Sequence, residues 1–398
     1  MEDFFARSRT AFEIPEGLIY LDGNSLGALP IAVKARVARE IGTEWGQQLI
    51  RGWNISGWMD LPLSVGNKIA PLVGAPQGSV LVADSTSVNV FKLLTAALAL
   101  AGQRRTILSD TGNFPTDLYM AEGAVRLLGQ GHSLKLVEPE AVEAAIDETI
   151  AVLMLTQVDY RTGRLHDMAA LTAKARTAGA LVMWDLAHSA GAFPVDLTGC
   201  GADFAVGCGY KYLNGGPGAP AFVYVRPGLA DAINPALAGW LGHEAPFAFD
   251  TGYRPAAGID RMRVGTPPVL GMAALDSALD VFSGADMQQI YEQSIVLSQR
   301  FIDEVEARCP QLVLASPRDP RQRGSQVSFR FAEGYSAMQA LIAQGVIGDF
   351  RAPDIMRFGF TPLYISEADV VEAAKRLERV IAWEIWRRPE FRQRNRVT

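Results

Sequence analysis

A spacing near the middle of the chain restricts its fold more than any other feature. The apolar run Leu181-Val182-Met183-Trp184 ends on Asp185, and twenty-six residues later Tyr210-Lys211-Tyr212 opens the glycine-rich stretch Leu213 to Gly218. A chain that leaves the end of one buried strand, crosses over and reaches the end of a neighbouring strand needs about that many residues. A carboxylate and an amine therefore meet at one sheet edge. On either side, short β-branched or apolar runs alternate with amphipathic stretches, the pattern of an α/β architecture on a mostly parallel sheet. Strands are predicted at Val80-Ala83, Thr106-Ser109, Ala151-Thr156, Leu181-Asp185, Phe204-Gly207 and Phe222-Val225. Apolar residues at three and four residue spacing predict helices over Val88-Ala101, Ala169-Ala178 and Met272-Phe282.

Near Ser283-Gly284 the pattern changes. A long helix over about Met287-Arg308, strands at Leu312-Ala315 and Val327-Phe331 and a helix from Ser336 predict a smaller C-terminal α+β domain. The expected division is an N-terminal segment, 1–44, packing on the small domain, a large domain over 45–284 and a small domain over 285–398. With 398 residues, 49% of them hydrophobic, the chain can bury cores for two domains. A net charge of -6 argues against nucleic acid or an anionic membrane as partner, and five arginines in the final twelve residues read as a solvated tail. The N-terminus MEDFFARSRT has no apolar signal core, and the longest apolar run, Leu93 to Ala101, is far short of a membrane span. Cys200, Cys208 and Cys309 are odd in number and show no metal-like spacing, so a reducing, cytoplasmic location is expected. The histidines at 132, 166, 188 and 243 are not spaced as ligands, and no metal is predicted.

Lys211 lies in GCGYKYLNGGPG, where glycines let the backbone pass close to a planar ligand. Alone it would be an ordinary loop lysine. The apolar runs before and after it imply a buried strand end, where an ammonium is costly without a partner and its pKa falls, as imine chemistry requires. Asp185 can cap a turn or hold a pyridinium nitrogen protonated. With Lys211 at the right remove, the second reading points to pyridoxal phosphate. His188 can contact the ring or its phenolic oxygen. Asp84-Ser85-Thr86-Ser87-Val88-Asn89 follows a strand and opens a helix, the place for a phosphate. Asn113-Phe114-Pro115-Thr116-Asp117 reaches the same edge with an aromatic that can stack on a ring. Arg357, in an apolar C-terminal segment, pairs either with an internal carboxylate or with that of a substrate.

YLDGNSLGALP at Tyr20 to Pro30, NFPTDLYMAEG at Asn113 to Gly123, WDLAHSAGAFPVDL at Trp184 to Leu197, GYKYLNGGPG at Gly209 to Gly218 and RFGFTPLY at Arg357 to Tyr364 together resemble the bacterial kynureninases, over nearly the whole chain. The resemblance implies a homodimeric fold-type I pyridoxal phosphate enzyme that hydrolyses L-kynurenine to anthranilate and L-alanine. It implies that Lys211 forms the Schiff base, Asp185 pairs with the ring nitrogen supported by Asp117, and Phe114 stacks on the ring. Thr86 and Ser87 would bind phosphate; Thr156, His188 and Tyr210 would complete the cofactor contacts, with Pro115 and Thr116 in the same segment. Trp240 and Thr266 would reach the phosphate of the partner subunit. Arg357 would take the substrate carboxylate, Trp53 would line the substrate pocket, and Tyr210 is the choice for the proton donor to Cβ. A cysteine desulfurase or selenocysteine lyase shares the Asp-to-Lys spacing, but typically has histidine before the lysine and a nucleophilic cysteine in a C-terminal loop. A class V aminotransferase is a second rival on the same fold. No G-x-G-x-x-G opens a helix after a strand, which weakens a dinucleotide reading.

Overall fold

The computed structural model describes residues 2–395. Three short strands, β1 (Phe12–Glu13), β2 (Ile19–Tyr20) and β3 (Leu29–Pro30), lie in the N-terminal segment. Next come β4 (Val80–Val82), β5 (Thr106–Asp110), β6 (Ser133–Val137), β7 (Ile150–Thr156), β8 (Leu181–Asp185), β9 (Phe204–Gly207) and β10 (Phe222–Val225). Among the described residues these seven form one sheet in the order β4-β10-β9-β8-β7-β5-β6. It is parallel except at β10, which runs antiparallel to both of its neighbours.

Near-continuous Val, Leu, Ile and Met runs are what a sheet covered on both faces requires. Alternate residues enter different cores: Val182 and Trp184 pack with Leu153, Leu155 and Ala205, whereas Met183 packs with Val152, Met154 and Val206 on the other face. The register Thr156↔Asp185↔Val206 brings the carboxyl ends of β7, β8 and β9 level.

The chain continues through the helix Met287–Arg308 to β11 (Val313–Leu314), β12 (Gln326–Arg330), β13 (Val346–Ile347), β14 (Asp349–Arg351) and β15 (Ile355–Gly359). A second sheet, β11-β12-β15-β14, is backed by that helix and by Gly334–Ala343, and Glu367–Ala382 packs against both helices. β2 pairs in parallel with β13, Ile19 opposite Val346, which ties the N-terminal segment to this end of the molecule.

The structure differs from expectation at three places. β6 was not foreseen, because an edge strand reading Ser-Leu-Lys-Leu-Val leaves its residues exposed or half-exposed. The helix expected at Met272 starts at Val269 and closes as a 3₁₀ turn over Leu279–Phe282. The apolar segment around Arg357 is a strand, β15, paired with both β12 and β14. The arginine-rich tail is solvated as expected, with Arg387, Arg388, Arg392 and Arg394 exposed; Arg394 lies 5.6 Å from the Tyr335 ring centroid, and the N–H of Asn395 donates to Tyr335 Oη at 2.7 Å. Arg396 lies outside the described residues. No helix among the described residues is long and apolar enough to cross a membrane.

Candidate active site

At the carboxyl edge of the large sheet, side chains that follow the ends of five strands, β4, β5, β7, β8 and β9, line one cavity. It holds Thr86, Ser87, Phe114, Thr116, Asp117, Thr156, Asp185, His188, Tyr210 and Lys211, together with Ser85, Tyr160 and Ala187. Pro115 is the first residue of the helix Pro115–Leu128, between Phe114 and Thr116.

Asp185, 5% exposed, accepts the Ala187 N–H on Oδ1 at 2.7 Å. Asp117, in the first turn of its helix and 2% exposed, is bonded to it. Burial, reinforced by the Asp185 charge, pushes Asp117 well above the usual carboxylate range, so it holds a proton and donates it to Asp185. No donor reaches Asp117 Oδ2, as expected if that group carries its own proton. Burial also raises Asp185, opposed by the Lys211 charge, the Ala187 N–H and the Asp117 bond. The pair presents one ionised carboxylate to the cavity, supported from behind.

Lys211 Nζ lies 3.1 Å from His188 Nε2, 5.8 Å from the Tyr210 ring centroid and 6.0 Å from that of Phe114. Burial and the Lys211 charge hold the His188 imidazole well below its ordinary pKa; it is neutral and accepts from the ammonium. The lysine loop is packed against the N-terminal segment. The Gly27 N–H donates to Tyr210 O at 2.8 Å, and a Cβ at Gly27 would sit 2.3 Å from the Lys211 carbonyl oxygen, so only glycine fits.

Ser85 caps the helix Thr86–Leu100, accepting the Val88 N–H at 3.4 Å. The first amides of that helix have no carbonyl partner within it and open on the cavity at the positive end of the dipole. Asp84 holds the turn with a φ of 50°, and its carboxylate takes the buried Lys92 Nζ at 2.6 Å. Thr156 Oγ1 donates to Asn113 Oδ1 at 2.5 Å, and Phe114, 41% exposed, meets Tyr160 edge to face at 5.3 Å. A primary amine, a supported buried carboxylate, an open aromatic face and an anion-accepting helix end are the groups that pyridoxal phosphate needs.

The other predicted residues lie outside this cavity in the single chain. Arg357, 1% exposed, bonds Asp349 through Nε at 2.6 Å and through Nη2; Nη2 also meets Ser25 Oγ at 2.9 Å and Nη1 meets Tyr160 O at 2.5 Å. Its internal carboxylate partner is thus present, and Tyr160 links it to the cavity. Trp53 stacks edge to face on Trp58 at 5.5 Å. Trp240, 40% exposed, stacks likewise on Phe247 at 5.8 Å, and Thr266 is exposed in the turn that follows Arg263. Sequence reasoning missed Tyr160, Gly27, Ser25 and Asp349. Only Gly27 and Ser25 left a trace, inside the YLDGNSLGALP string.

Fold and site together define a fold-type I pyridoxal phosphate-dependent enzyme. The fold superposes on a cysteine desulfurase from Thermococcus onnurineus NA1 with a TM-score of 0.81 at 18% identity, covering 95% of this chain and 98% of that one. Residues 290–377 match the family model described as the kynureninase C-terminal domain. Over its full length the chain is 50% identical to the kynureninase of Pseudomonas fluorescens and to that of Burkholderia pseudomallei (strain 1106a), covering 97% of each. The chain belongs to the kynureninase family.

Proposed function

We propose that this enzyme hydrolyses the Cβ–Cγ bond of L-kynurenine, and of its 3-hydroxy form, to anthranilate or 3-hydroxyanthranilate and L-alanine in tryptophan degradation. The reading is carried by the cavity in which Lys211, Asp185 and the open helix end meet, in a chain half-identical to kynureninases throughout. Pyridoxal phosphate, when bound, supplies a ring that accepts negative charge from substrate carbon. Lys211 would hold the cofactor through its amine and is the base placed to move the Cα proton, and neutral His188 accepts from its Nζ at 3.1 Å. Asp185 holds the proton on the ring nitrogen, with Asp117 fixing its orientation. The amides and hydroxyls of Thr86 and Ser87 bind the phosphate, and Phe114 packs on the ring, with Thr116 and Thr156 beside it. Arg357 orients the substrate carboxylate, and Trp53 contributes to the pocket for the aryl group. Tyr210, whose phenol burial pushes above its ordinary pKa, keeps its proton until Cβ requires it.

The proposed assembly is a homodimer in which Trp240 and Thr266 serve the partner's phosphate site. The proposed domain division is 1–44, 45–284 and 285–398, and the proposed location is the cytoplasm. A desulfurase reading is disfavoured by Cys309, buried at the end of the helix Met287–Arg308 with its thiol pushed up to about 12 by burial. The test is purified protein with pyridoxal phosphate and L-kynurenine, following anthranilate fluorescence and alanine together, beside Lys211→Ala. Equimolar products lost in the variant support the reading; intact kynurenine over a yellow protein overturns the substrate.

A further inference from the structure

Arg357 is already occupied. A guanidinium has five N–H donors, and four hydrogen bonds to Asp349, Ser25 and Tyr160 O are in place. Asp349 takes a second arginine as well, Arg351 Nη2 at 2.9 Å, and the Ser25 hydroxyl donates to it at 2.5 Å. A bidentate carboxylate needs two donors on one edge, so an incoming carboxylate must displace a contact; Ser25 Oγ on Nη2 and Tyr160 O on Nη1 are the neutral ones, and of the two only Ser25 Oγ is a side-chain atom that can rotate away. It must also enter a cluster that holds a further acid, Asp22. This residue lies in the turn after β2, and its Oδ1 is buried with no hydrogen-bond partner among the described residues.

The charges decide what happens next. With Asp22 ionised, two arginines face two carboxylates and nothing remains to attract an anion. With Asp22 protonated the cluster carries one net positive charge. We infer that capture of a substrate carboxylate at Arg357 is coupled to uptake of a proton by Asp22, with Ser25 giving up its place on the guanidinium. This rests on the proposed role of Arg357.

The surroundings leave Asp22 as the group that titrates. Burial and the Asp349 charge push it up to about 7, against the pull of Arg357, Ser25 and Arg351. Its other neighbours are Tyr20 on β2, Tyr364 beyond β15 and Tyr212 from the lysine loop, all held protonated by burial. Arg351 is lowered by burial from a value far above neutrality, and His188, which also faces the two arginines, is already neutral. An added carboxylate raises Asp22 further, so binding takes up protons above neutrality and weakens as pH rises through that range.

The experiment uses holoenzyme and 4-oxo-4-phenylbutanoate, an aryl γ-keto carboxylate that lacks the α-amino group and cannot react. Calorimetry in buffers of different ionisation enthalpy counts protons. At pH 7.5 the native enzyme should take up about half a proton, and its affinity should fall roughly tenfold between pH 6.5 and 8.5. In Asp22→Asn the uptake should vanish and affinity at pH 8.5 should exceed the native value. The same uptake in Asp22→Asn, or none in the native enzyme, overturns the inference. Asp349→Asn provides a second route: removing a negative neighbour should move the break in affinity to lower pH, and an unmoved break counts against it. Arg357→Gln separates the two levels. If it binds the probe as tightly as native enzyme, the carboxylate reading itself fails; if it abolishes binding while native enzyme takes up no proton, only the coupling fails.

Discussion

Two carboxylates buried side by side cannot both be ionised, and the Asp117–Asp185 pair resolves this by giving the proton to Asp117. An amide can replace a protonated carboxyl as donor. Asp117→Asn is therefore expected to keep turnover within about tenfold, whereas Asp185→Asn, which removes the anion proposed to serve the ring nitrogen, should lose at least about a hundredfold in kcat; steady-state kinetics on both variants check the contrast. The same proton affects stability. The unfolded carboxyl releases it above about pH 4 while the folded one retains it, so this group's contribution declines as pH rises from there. Relative to native enzyme, Asp117→Asn should gain stability at pH 8 and not at pH 4, as urea unfolding at both values will show. Tyr210→Phe should retain cofactor and lose roughly a hundredfold in turnover, and a fully active variant would move the proton-donor role elsewhere. Asp185 and Lys211 were legible because each terminates or follows an apolar run. Tyr160 was not: a local turn aims it, with Asp159 Oδ1 accepting the Arg161 and Thr162 N–H groups, and such a turn has no period to detect.

At the level of elements, the helix Thr86–Leu100 is the proposed phosphate end of the site, and its approach is fixed by an ion pair rather than by glycine. Asp84 sits at positive φ, and Lys92 two turns along the helix reaches back to it and to Met262 O at 2.7 Å. Lys92→Met leaves Asp84 without its cation and should cost about 3 kcal/mol of stability, with weaker cofactor retention; denaturant titration and cofactor dialysis measure the two. Elements with a strong apolar stripe were read well. Met287–Arg308 has the bounds expected, because its buried residues Ile290, Ser294, Leu297, Phe301 and Val305 recur at three and four residue spacing. The hairpin β14–β15 escaped notice, since cross-strand pairing of Asp349 with Arg357 is specified by a register that a linear pattern does not contain.

For the whole molecule, the single chain leaves Trp240, Phe247 and Phe249 exposed near one another and leaves Trp53 and Thr266 outside the cavity. A shared site predicts that specific activity falls on dilution together with the mass seen in light scattering; activity that persists in a monomer would remove Trp240 and Thr266 from the site. The large sheet was legible because parallel, doubly covered strands are written as continuous apolar runs. The N-terminal contribution was legible only in outline, because β2 is two residues long. That short strand has a consequence for synthesis. Ile19 leaves the ribosome far ahead of Val346, its partner in β13, and at about 5–20 residues per second the delay is a substantial fraction of a minute. The large sheet can close in that interval while the turn bearing Asp22 and Ser25 waits for β14 and β15. The cluster around Arg357 is thus assembled last, and a nascent chain stalled before residue 346 should expose its first twenty residues to protease while the sheet behind them resists.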